Sequence, residues 1–178
     1  MNKSAIEAYL AASAAELVTY VDENDRPLGA VSRGDAQVRG LITRCTFIFV
    51  FNSSGQLCLH QRTNHKRLYP GFWDVAAGGV VAAGESYAQG AERELAEELG
   101  VFGVELTEHL RFYFESSDSR LWAGVFSCCW DGPLVLQPEE VQDVRWIDPH
   151  SQWQRDGEQY APDSLDALQR LLKQISVE

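Results

Sequence analysis

The chain has 178 residues, 45% of them hydrophobic and 11% aromatic, and a formal net charge of −11. That length and apolar content predict one domain with a sizeable core and exclude a disordered chain. The charge argues against a nucleic-acid polymer or an anionic membrane as partner, since either would be repelled, but it admits a small phosphorylated ligand.

Residues 1–15 read as a short N-terminal extension, with 4–15 a short amphipathic helix. Lys3 is early, but Glu7 and the lack of a continuous apolar stretch argue against a signal peptide. No apolar run reaches the roughly 20 residues a bilayer requires. A cytoplasmic protein, monomeric or homodimeric, is expected. Residues 17–21 and 28–31 flank the turn DENDRP and predict a hairpin. The run CTFIFVF at 45–51 predicts a buried central strand. Residues 52–55 turn the chain and 56–61 return. A Pro-Gly loop at 69–72 leads into an expected strand at 73–77. Further strands are expected at 104–106, 110–114 and 121–130, with 144–147 closing the sheet. Asp163 is placed to cap a last helix, 164–175, whose apolar face is Leu165, Leu168, Leu171 and Leu172. Strands interleaved with helices predict a mixed sheet between helical layers. Cys45, Cys58, Cys128 and Cys129 lie in strand-like stretches without metal-site spacing, and buried free thiols are expected.

The most informative segment is GGVVAAGESYAQGAERELAEELGV, from Gly78 to Val101. Residues 85–99 are good helix formers without proline. At about 100° per residue Glu94, Glu97 and Glu98 share one sector, beside an apolar stripe of Ala88, Ala91, Leu95 and Leu99. Between Glu85 and Glu108 there are seven glutamates and one basic residue, Arg93. Carboxylates crowded at i,i+3 and i,i+4 repel one another. A hard divalent cation with oxygen ligands would relieve that repulsion, and a loop of Gly78, Gly79 and Gly84 leads into the helix.

The spacing resembles the Nudix box, G-x5-E-x7-R-E-U-x-E-E-x-G-U with U aliphatic. Gly79, Glu85, Arg93, Glu94, Leu95, Glu97, Glu98, Gly100 and Val101 fill its specified positions, so the box spans 79–101. The resemblance implies an α/β/α sandwich with a mixed β-sheet, one Nudix domain over 1–178. It implies metal-dependent hydrolysis of a nucleoside diphosphate linked to another moiety, or of a related organic pyrophosphate. Water would attack phosphorus, with Mg²⁺ as cofactor and Mn²⁺ as a substitute. Glu94, Glu97 and Glu98 are the expected metal ligands. Glu97, Glu98 and Arg93 count as catalytic, Arg93 by orienting a box glutamate through an ion pair. Glu85 is expected to support the loop and helix start, and Gly79 to bring backbone close to metal and substrate. Family members take their general base either from the box or from a later loop; here Glu139 and Glu140 are the candidates outside the box.

A wider likeness covers residues 16–148. LVTYVDENDRPLG, FNSSGQLCLHQR and YPGFWD resemble the isopentenyl-diphosphate isomerase branch of the superfamily. That branch carries a catalytic cysteine and a metal-binding histidine just after this Pro-Gly-x-Trp element. Here residues 74–79 read DVAAGG, and the positions of its other metal ligands fall near Thr43, Ser119 and Leu121. The scaffold is similar and the isomerase chemistry is missing. Residues corresponding to Arg62 and Lys66 grip a diphosphate in that branch, so both are expected to bind substrate. Four of the nineteen Lys, Arg and His residues crowd into 62–67. His65 is expected to be exposed. An isomerase-like enzyme and a catalytically silent ligand-sensing domain are the alternatives. Segment 116–119 carries none of the flags that mark the ADP-ribose, dinucleoside polyphosphate or NADH subgroups.

Overall fold

The structure, a computed structural model, describes residues 3–175; the ends of the expected 1–178 span, residues 1–2 and 176–178, lie outside them. Lys3–Ala15 is helix α1, and Leu17–Val21 (β1) pairs antiparallel with Pro27–Ser32 (β2). The hairpin turn is held by Asp22 Oδ1, which accepts the Asn24 and Arg26 N–H groups at 2.8 and 2.9 Å. A short helix not foreseen from the sequence follows, α2 (Arg33–Val38), with Ser32 Oγ accepting the Asp35 N–H at its N-terminus. Six residues including a glycine are too few to show a helical period.

The central strand is β3 (Ile42–Phe51), longer than the expected 45–51 because Ile42 and Thr43 pair with β1. One edge of β3 runs parallel to Arg120–Cys129 (β7) from Thr43 to Phe51. Thr107–Glu115 (β6) lies antiparallel on β7. The other edge is shared in turn by β1, by the loop before the glutamate-rich helix, and by Leu57–Arg62 (β4) at Phe51. β4 also carries Trp73–Asp74 (β5) and Val141–Ile147 (β8), both antiparallel. The expected strand at 73–77 is therefore cut short. After Asp74 the chain leaves β4 and crosses to β3, where Ile48 and Ala77 exchange both backbone bonds and Thr46 N–H reaches Gly79 at 2.9 Å. Segment 104–106 is irregular instead of a strand, although Val104 and Leu106 still pack on the core.

Alternation along β3 builds two cores. Phe47 and Phe49 face Pro162–Ile175 (α4) through Ala167, Leu168 and Leu171, while Ile48 and Val50 face Tyr87–Leu99 (α3) through Ala91, Leu95 and Leu99. The result is the expected sandwich of helices around a mixed sheet. Two details differ from expectation. Ala88 is exposed, because Ser86 starts the helix and Tyr87 takes the inward position, placing Tyr87, Ala91, Leu95 and Leu99 on the buried stripe. Cys129 is exposed at the end of β7, whereas Cys45, Cys58 and Cys128 are buried thiols; all four are free.

Candidate active site

Helix α3 is well terminated at both ends. Ser86 and Gln89 form a reciprocal capping box, and Gly100 closes the helix in the left-handed region at φ 67°. The loop ahead of the helix depends on a glycine. At Gly78, with φ 142°, a Cβ would stand 2.0 Å from the Thr46 carbonyl oxygen, so no other residue fits this crossing. Next to it, a Cβ on Gly79 would stand 2.6 Å from the Glu94 carboxyl carbon. The loop backbone thus lies directly against that carboxylate.

Arg93 organises the carboxylates. Its guanidinium donates to Glu85 Oε1 and Oε2 at 2.9 and 3.0 Å, to Glu94 Oε1 at 2.8 Å, to Glu97 Oε2 at 3.3 Å and to the Val80 carbonyl at 3.2 Å. Glu85 also accepts the Ala82 N–H at 3.0 Å, fastening the loop to the helix start. Glu98 lies apart from Arg93 and accepts the Gly78 N–H at 2.9 Å. The three box glutamates are not equivalent. Glu94 and Glu98 are buried at 8% and 2% exposure, while the Glu97 side chain is half exposed. Burial pushes the Glu94 carboxyl up and the Glu98 carboxyl up to about 7, Lys66 opposing the latter.

A cavity of about 580 Å³ opens beside this wall. Its opposite wall comes from distant segments. Lys66, from the loop after β4, pairs with Glu140 just before β8, and the Tyr9 hydroxyl of α1 donates to the same carboxylate. Burial pushes Glu140 up to about 7 and Lys66 down to about 8, Arg62 adding to the lysine's fall and Glu98 opposing it. Arg62 also lines the cavity, but its guanidinium is committed to Asp74 at 3.0 Å and to the Leu68 carbonyl at 3.2 and 3.3 Å. It therefore clamps the 63–72 loop. His65 is exposed at the rim and Glu139 is partly buried in its loop. Asp74 and Asp163 meet on the α4 side, where burial and Asp74 push the Asp163 carboxyl up to about 6. Thr43, Ser119 and Leu121, where the isomerase-like ligands would stand, line the cavity as well.

The residues present suit a hard cation. Of the two buried carboxylates, Glu94 pairs with the Arg93 guanidinium and Glu98 accepts the Gly78 N–H, and Thr46 on the cavity wall carries a buried hydroxyl with no hydrogen-bond partner among the described residues. No three His, Cys, Asp or Glu side chains among the described residues converge on one point. The fit is therefore to an ion that takes one or two carboxylates and completes its shell with substrate phosphate and water, as Mg²⁺ commonly does. Sequence reasoning missed Tyr9, Asp74 and Asp163. The motif signal ends at residue 101, and nothing local marks a tyrosine in an N-terminal extension as a partner of Glu140.

The NUDIX domain family matches residues 42–168. A Nudix hydrolase of Pseudomonas aeruginosa is 52% identical over 166 residues, covering 93% of this chain and 98% of that one. The Nudix hydrolase YfcD of Escherichia coli is 40% identical over 158 residues, covering 89% of this chain and 87% of that one. A crystal structure from Deinococcus radiodurans superposes with a TM-score of 0.76 at 28% identity, over 87% of this chain and 98% of that one. The chain belongs to the Nudix hydrolase family and is a pyrophosphohydrolase of that class. No helix among the described residues is long and apolar enough to cross a membrane.

Proposed function

We propose that the protein hydrolyses a nucleoside diphosphate linked to another moiety, or a related organic pyrophosphate, in a divalent-metal-dependent reaction. The observation that carries this reading is the pair Glu94 and Glu98, buried against the Gly78–Gly79 backbone, with Glu94 on the wall of a cavity that the largely buried Lys66–Glu140 pair lines as well. Glu94 and Glu98 would hold the cation, with Glu97 at the exposed edge. Mg²⁺, or Mn²⁺ in its place, would supply charge neutralisation and Lewis acidity to the pyrophosphate oxygens.

The chain's own groups account for the rest. Arg93 keeps Glu94 and Glu97 in place, and the Gly78 N–H orients Glu98. Lys66 is the cation placed to meet a phosphate oxygen, by leaving Glu140. Arg62 contributes by fixing the loop that carries Lys66. Glu140 then takes a proton from the attacking water. A new P–O bond forms, the bridging P–O bond breaks, and two phosphorylated products leave.

The test is a screen of the purified chain with Mg²⁺ and with Mn²⁺ against nucleotide sugars, dinucleotides, coenzyme A and nucleoside triphosphates. Two phosphorylated products, one carrying ¹⁸O from labelled water, are expected from at least one compound. Failure to cleave any of them with either ion refutes the reading. Isopentenyl diphosphate should yield no dimethylallyl isomer, because residues 74–79 offer neither cysteine nor histidine.

A further inference from the structure

Helix α1 is held to the molecule in an unusual way. It buries no side chain fully, so apolar burial does not account for its position. A few specific contacts do. Gly34 of α2 lets the two helices approach closely, since a Cβ there would stand 3.2 Å from the Ala14 carbonyl oxygen. Arg33 Nη1 donates to Ser13 Oγ at 3.3 Å and pairs with Glu16 at 3.5 Å. Farther along the helix, Tyr9 reaches Glu140 across 131 residues of sequence, and Tyr9, Leu10, Ser13 and Ala14 all line the catalytic cavity.

The Glu140 carboxylate is only 12% exposed, and its two oxygens are divided between two partners. Oε1 accepts from the Tyr9 hydroxyl, and Oε2 meets the Lys66 ammonium. The main chain behind it is fixed, since Glu140 N–H donates to the Gln137 carbonyl at 3.0 Å and its own carbonyl accepts the Thr63 N–H at 2.9 Å. A lysine can serve a substrate phosphate only by turning away from its carboxylate. Once Lys66 does so, Tyr9 is the contact left to fix the carboxylate plane. A phenol fixed by only two side-chain torsions suits that task, and its single O–H leaves Oε2 free to accept a proton.

We propose that Tyr9 is a positioning residue for Glu140, and that the N-terminal helix is thereby a working wall of the active site. The inference rests on the reading of Glu140 as general base. It predicts that the catalytic effect of the Tyr9 hydroxyl passes entirely through that carboxylate.

A double-mutant cycle on the full chain tests it, with Tyr9→Phe, Glu140→Gln and both together. Unfolding is measured first, with Glu140→Ala in place of Glu140→Gln, because a glutamine oxygen would still accept from the Tyr9 hydroxyl. The double variant should melt about 2–4 °C higher than the sum of the single losses implies, because the two groups share one contact. Additive losses would mean the contact is absent in solution and would overturn the proposal whatever the kinetics. In turnover, Tyr9→Phe should lower kcat about tenfold with KM changed less than about threefold, and Glu140→Gln should lower kcat about a hundredfold or more. Adding Tyr9→Phe to Glu140→Gln should cost nothing further. An equal loss in both backgrounds would make Tyr9 independent of Glu140 and overturn the proposal. So would an unchanged kcat in Tyr9→Phe beside an inactive Glu140→Gln, which leaves the base assignment standing. A Glu140→Gln variant with parental kcat removes the base assignment itself, and the role of Tyr9 with it.

Discussion

On the α3 side of the site, Glu94 lines the cavity, and one guanidinium from the same helix touches Glu85, Glu94 and Glu97. On the opposite wall, Tyr9, Lys66 and Glu140 arrive from an N-terminal helix, a loop after β4 and the lead-in to β8. The first wall is fixed by helix geometry and a capped start, so its carboxylates keep their spacing whatever the distant loops do. The second exists only while three remote segments are docked. In the proposed reaction, metal binding therefore falls to the local wall, and proton transfer and phosphate capture fall to the assembled one.

The largest effect should come from the local wall. Glu98→Gln keeps the side chain's size and removes a buried charge, so kcat at limiting Mg²⁺ should fall on the order of a hundredfold or more, while Glu97→Gln falls roughly tenfold or less. Equal losses in steady-state assays would refute the distinction drawn from burial. Without metal, Glu98→Gln should melt at or above the parental temperature at pH 8, since an ionised buried carboxylate is no longer required.

The pH dependence of stability separates the site from the sheet beneath it. His60, buried on β4, has its imidazole pushed down to about 4 by desolvation, from an ordinary 6.5. The unfolded chain takes up that proton first, so this contribution is full above pH 6.5 and is lost as pH falls toward 4, about 3 kcal/mol in all. Glu98 and Glu140 work in the opposite sense. Their carboxyls are raised to about 7, so their contribution is full below about 4.5 and lost as pH rises through 7. Denaturant titrations from pH 4 to 8 should show both arms. Mg²⁺ should flatten the alkaline arm by engaging the ionised carboxylates, and His60→Gln should flatten the acid arm alone. A Mg²⁺ effect confined to the acid arm would contradict the assignment.

Gly79→Ala should cost roughly tenfold in kcat with little change in melting temperature, because the new methyl displaces the Glu94 carboxylate and leaves the core untouched. Parental kcat would show that Glu94 has room to shift without loss of function. The smallest effect belongs to Ser86→Ala, which removes the helix cap at a cost of about 1 kcal/mol, read by denaturant unfolding, with kcat at saturating Mg²⁺ close to parental.

Much of this molecule was legible in its sequence. The glutamate spacing and the strand CTFIFVF are local patterns, and each yields its element through short-range periodicity or backbone preference. The failures share a cause. Segment 73–77 has strand-like residues, but after Asp74 its backbone partners change from β4 to β3. Arg62 and Lys66 read as substrate-binding cations of a basic loop, yet each meets a carboxylate, Asp74 or Glu140, that no local pattern connects to it. Tyr9 lay in what read as an extension.

By itself the sequence determined the family, the mixed sandwich and the ordering of carboxylates along one helix, because these follow from spacings of a few residues on regular backbone. Only the tertiary structure decided which carboxylates are buried, which cations are already paired and which distant hydroxyl closes the cavity. Burial and ion pairing depend on segments far apart in sequence meeting in space, and the energy of a charge is set by those neighbours more than by its own position in the chain.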